Sequence, residues 1–224
     1  MTAHRTLTRG IGAAFALVAL ITAAQADEVY SNFGPGDTFN ISTGWTVSTA
    51  GSPVGGNFSV AGMFTASQNF TLTSFDIAAF HVSGLNSYLF SIVADNAGLP
   101  TGASLFSTSG SLAGPASVNS YSATGSLLAG NTYWLVMQPG GNDTWGAWNW
   151  NTTGATGFAN SGNGGATWGA NGSTSPTFRI NGRPTGRTPL TPEMPAGVQA
   201  IPVLLAVGGM ALYQRKKRTS STNI

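Results

Sequence analysis

Residues Thr132–Gln138 read "TYWLVMQ". From Tyr133 to Met137 every side chain is apolar, so an extended chain here carries no polar face. Such a stretch reads as a central strand, covered on both sides. Its neighbours in sequence alternate instead, one apolar face against one polar face. "SYLFSIVA" puts Tyr88, Phe90 and Ile92 together, and "NFSVAGMF" puts Phe58, Val60 and Phe64 on one face. "FTLTSFDIAAF" starts with Phe70 and Leu72 in phase and then shifts to Phe75 and Ile77, which predicts a bulge or bend. "PTFRING" reads as the last strand, with Phe178 and Ile180 inward. Between these runs stand Gly, Asn, Ser and Pro, and residues 30–182 hold no helical apolar stripe. The expectation is an all-β body over residues 27–182, an antiparallel β-sandwich of jelly-roll-like kind.

Charge narrows the function classes. The 224-residue chain has a formal net charge of +2, and charged residues make up only 7% of it. No Lys or Arg occurs from Asp27 to Phe178, while Asp27, Glu28, Asp37, Asp76, Asp95 and Asp143 do. A phosphate backbone needs clustered cations, so nucleic acid is excluded as a partner. A Gly/Ser/Thr/Asn-rich surface with aromatics fits an exported β protein. The chain has no cysteine, hence no disulfide framework and no thiol chemistry.

Both ends read as addresses. Arg5 and Arg9 precede the apolar run from Gly10 to Ile21, and Ala24 and Ala26 are the small residues a signal peptidase needs. The first 26 residues therefore read as a signal peptide with an apolar helix, cut between Ala26 and Asp27. Residues 183–191 form a Pro-rich linker. Then come Pro192-Glu193-Met194-Pro195, an apolar run from Ala196 to Tyr213 and the basic cluster Arg215-Lys216-Lys217-Arg218. As a helix the run would measure about 27 Å, just enough to span a membrane, and the cluster would act as a stop-transfer signal on the cytoplasmic side. Pro202 and Gly208-Gly209 weaken that span.

The three-part tail over 192–218 resembles the PEP-CTERM protein-sorting signals of bacteria, and their PEF-CTERM variant still more. Pro192, Glu193 and Pro195 match the motif, Met194 departs from it, and Arg215 to Arg218 match the basic cluster. The resemblance implies an exosortase-type transpeptidase that removes the tail. The body is similar to the domain called choice-of-anchor R in "GPGDTFN", "GWTV", "DNAGLP", "AGNTYWLV", "DTWGAWNWN" and "FRING". That likeness implies an exported surface domain and transfers no catalytic residues.

Candidate chemistry within the body is sparse. His81 is the one histidine past residue 26, and no G-x-S-x-G elbow is present. No pair of carboxylates stands out by spacing, so no catalytic residue is assigned and a non-enzyme is expected. No cofactor is expected, with one exception. Asp37, Asp95 and Asp143 sit in Gly-rich turns and are candidate Ca²⁺ ligands, although Asp in a turn commonly bonds its own backbone. Trp145, Trp148 and Trp150 beside Asp143 make a candidate glycan-binding group, since indole faces stack on sugar C–H faces. The competing expectation is that these tryptophans fill the core. The sequence thus predicts an exported, non-enzymatic surface or matrix protein, held at first in the membrane of the cell envelope. The second reading is a carbohydrate-binding module for cell-surface or extracellular polysaccharide.

Overall fold

The computed structural model describes residues 26–186. The expected signal helix and the membrane-spanning helix at 196–213 lie outside these residues. So do Ala24, Pro192 to Pro195 and Arg215 to Arg218.

The described chain is all-β. In order come β1 (Asp27–Ser31), β2 (Gly44–Ser48), β3 (Ser59–Thr65), β4 (Phe70–Ser83), β5 (Tyr88–Ala94) and β6 (Ser104–Gly110). Then follow β7 (Ser117–Leu127), β8 (Thr132–Pro139), β9 (Trp145–Asn149), β10 (Thr156–Ser161), β11 (Gly169–Thr174) and β12 (Phe178–Pro184). They form two antiparallel sheets. One runs β1-β12-β4-β9-β2, with β7 paired to β4; the other runs β11-β10-β3-β8-β5-β6.

The "TYWLVMQ" run is β8, in the interior of the second sheet between β3 and β5. Tyr133, Leu135 and Met137 point into the main core. Trp134 and Val136 point the other way, into a second apolar cluster with Ala61, Val93 and Ala159, against which Trp168 packs. Both faces of the strand are covered, which is why neither needs a polar residue. The Trp134 indole N–H donates to Asp95 at 2.7 Å, so its one polar atom is satisfied in a buried place.

The main core lies between the sheets. Phe64, Phe90, Leu135 and Phe158 of one sheet meet Phe75, Ile77, Trp148 and Phe178 of the other. Ring pairs cross the gap: Phe75 and Phe90 have centroids 5.7 Å apart, and Phe64 and Phe178 6.2 Å. Tyr88, Phe90, Ile92, Phe178 and Ile180 are all fully buried, as their alternation predicts. The phase change in β4 has its cause as well. Its register with β7 breaks between Leu72 and Ser74, and Gly125, which pairs with Leu72, takes φ of 146°.

Phe58 lines the same cleft as Val60 but is far more exposed. It precedes β3 and pairs with Ser48 through two backbone bonds of 2.8 and 3.0 Å, a bridge that links the two sheets. This places it at the rim, 37% exposed, where no opposing sheet covers the ring.

Candidate functional site

The rim around Phe58 is concave. An open cleft of about 410 Å³ lies between β2 and the end of the second sheet made by β3, β10 and β11. Trp45, Phe58, Val60 and Phe158 give it its apolar surface, and Asn160 and Asn171 stand at its polar side. The cleft exists because β3, β10 and β11 continue their inner face beside β2. Phe158 pairs in register with Gly62 and with Asn171, and Asn160 with Val60, so these side chains share one face of the sheet.

The aromatic wall is held firmly. Trp45 stacks on Phe158 with centroids 4.2 Å apart and leans on Trp150 at 5.2 Å. Its indole N–H donates to the Thr174 carbonyl at 2.8 Å, which fixes the ring in its own plane. Phe58 lies over Gly56, where a Cβ atom would run into the phenyl ring, so glycine is the residue that lets the ring settle there. The amides are less committed. Asn171 accepts from the Ser173 N–H at 2.9 Å through Oδ1, and Asn160 is exposed. Among the described residues no partner engages the Asn160 side chain or the Asn171 NH₂ group.

The tryptophan run chosen from the sequence is arranged differently. Trp148 is fully buried, its N–H donating to Thr177 at 2.8 Å, and it belongs to the core. It offers no face to a sugar, which corrects its place in the glycan-binding group. Asn149 and Asn151, opposite it in the alternation, are buried too. Asn149 donates to the Asn40 carbonyl at 2.9 Å, and Asn151 to those of Ala155 and Ser175 at 2.8 and 2.7 Å. Trp145 and Trp150 are half-buried and stand at opposite ends of this stretch. Trp150 closes on Trp45, and its indole nitrogen is buried with no partner among the described residues. Asp143 is exposed before β9 and accepts from the Leu85 N–H at 2.8 Å. The three tryptophans and Asp143 therefore do not share one platform.

The Ca²⁺ candidates are held apart, each by its own partners. Asp37 grips Arg179 at 2.8 and 3.3 Å, and Arg179 also donates to the buried Asp76 at 2.8 Å. Asp95 accepts from Trp134 and from the Gly98 N–H at 3.1 Å. Asp143 serves the β4–β5 turn, as above. Among the described residues no group of three His, Cys, Asp or Glu side chains converges. Burial lowers the Arg179 pKa, but hydrogen bonds and charge from Asp37 and Asp76 outweigh it and leave it raised. The guanidinium also lies over the Phe33 ring, 5.3 Å from its centroid. His81 sits 2.9 Å from the Tyr88 hydroxyl and 3.1 Å from the Gly84 carbonyl, so both ring nitrogens serve the β4–β5 turn.

The sequence reading singled out neither Trp45 nor Asn160 for a site, and it placed Phe58 only on the face of Val60 and Phe64. The one available signal was "GWTV" in β2, an aromatic beside glycine in a strand of mixed polarity. No family model matches the chain, and no curated protein matches it.

Proposed function

We propose that this protein is an exported surface or matrix protein, with a non-enzymatic β-sandwich body of jelly-roll-like kind and a C-terminal sorting tail that a transpeptidase of exosortase type removes. The observation that carries the reading is the pairing of β1 with β12. Strand β1 opens at Asp27, immediately after the small residue Ala26, and β12 closes at Pro184, two residues into the expected linker 183–191. Asp27 pairs with Gly182, so the two strands that carry the address segments are partners. Removing residues 1–26 leaves β1 entire, and cutting at 192–195 leaves β12 entire. Successive strands also cross repeatedly between the two sheets, which supports the jelly-roll likeness.

Glu193→Ala tests the tail. Export continues, and a membrane-bound form that keeps Arg215 to Arg218 accumulates. A variant processed like the wild type would contradict the reading.

A second reading, a carbohydrate-binding module of the cell surface or extracellular polysaccharide, is favoured by one observation. Aromatic and amide side chains line an open cleft together, at a different place from the Trp145–Trp150 run.

A further inference from the structure

We propose that the cleft between β2 and the β3–β10–β11 end of the second sheet binds a neutral saccharide chain. The proposal rests on the carbohydrate-binding reading and gives it a place and a ligand class. At about 410 Å³ the cleft falls within the size range of small-ligand sites. Its wall chemistry selects the ligand. Phe58 is 37% exposed, and with Trp45 it presents aromatic surface of the kind on which the C–H face of a pyranose packs. Asn160, whose amide can both donate to and accept from sugar hydroxyls, and the Asn171 NH₂ group, a donor, stand beside this surface.

Charge decides between saccharide classes. No residue lining the cleft is ionisable. A uronate, sulfate or phosphate group would lose water there and gain no counter-charge, so anionic polymers are disfavoured. A purely apolar ligand is disfavoured in turn, because it would cover Asn160 and the Asn171 NH₂ without replacing their hydrogen bonds to water. A hydroxyl-rich, uncharged chain satisfies both walls. The cleft is open rather than enclosed, which suits a polymer that passes through it. Rigidity adds to this. Trp45 is fixed by Thr174 and Phe158, and Phe58 by the Ser48 bridge and Gly56, so little order is lost on binding.

The test is affinity electrophoresis of the purified full-length chain in detergent. The gels contain soluble β-glucan, xylan, galactomannan or dextran, with alginate as the acidic comparison. At least one neutral polymer retards the wild type. Phe58→Ala and Asn160→Ala each weaken that retention by about tenfold, the scale of one lost stacking or hydrogen-bonding contact. Leu85→Ala, exposed and outside the cleft, leaves it unchanged. Unaltered circular dichroism shows that each variant is folded; both cleft positions are exposed, so neither supports the core. Neutral-polymer retention that survives both cleft substitutions would overturn the cleft and leave carbohydrate binding to another surface. Retardation by alginate alone would overturn the neutral ligand. Retardation by none of the five polymers would overturn the site and the carbohydrate-binding reading together.

Discussion

At the residue scale the buried polar groups decide stability. Asp76 is 6% exposed and faces Arg179, whose other side grips Asp37. Replacing Arg179 with Met removes the counter-charge and strands a buried carboxylate. Discounting for the partial exposure of the guanidinium, the loss is about 2 kcal/mol, read as a lower denaturant midpoint at neutral pH. Tyr88 and Tyr121 give a pH dependence. Burial raises both, Tyr121 to about 12, and the charge of Tyr121 raises Tyr88 further. In the unfolded chain both ionise near pH 10, so their contribution is intact below about pH 10 and is lost as pH rises through the folded values. The unfolding midpoint therefore falls above pH 10, and Tyr121→Phe flattens that fall. Neither network was legible in the sequence. Asp37, Asp76 and Arg179 meet only after strands far apart in the chain have paired, and no local spacing encodes that meeting.

At the element scale much of the fold was legible, because period and phase are local properties. The alternation in β5 and β12 gave their inward residues, and the phase change in β4 gave its irregularity. β8 declared its central place through five apolar residues in a row. Phe58 lines one cleft with Val60, but it lies one residue before β3, at the rim, and alternation does not tell how exposed a rim residue is. The Trp148-x-Trp150 alternation specifies a shared face but not which face meets solvent, and the burial of Trp148 agrees with the core expectation for that residue. The elements also predict where added volume is harmful. Gly62 sits in β3 where a Cβ would run into the Phe178 ring, and Phe178 is fully buried between the sheets. Gly62→Ala should cost about 1–3 kcal/mol by overpacking, measured by equilibrium denaturation, whereas Gly172→Ala, with open space around it, should cost little.

At the scale of the whole molecule the proposed division is a body between two address segments, and it rests on composition. The body lacks Lys and Arg from 27 to 178, and apart from Arg179 and Arg183 in β12 the cations lie in the flanking segments, which also carry the long apolar runs. The cleft was not legible, since Trp45, Phe58, Asn160 and Asn171 come from four separate strands or strand ends. β1 and β12 pair from Asp27 with Gly182, so a body released by the two proposed cleavages would keep this strand pair intact. The central claim is that the body is what remains after both ends are removed. Intact mass of the mature protein from its native cell tests it most directly. The expected result is a chain that begins at Asp27 and lacks Arg215 to Arg218. A mature protein still ending in Arg215-Lys216-Lys217-Arg218 and the residues beyond would contradict it.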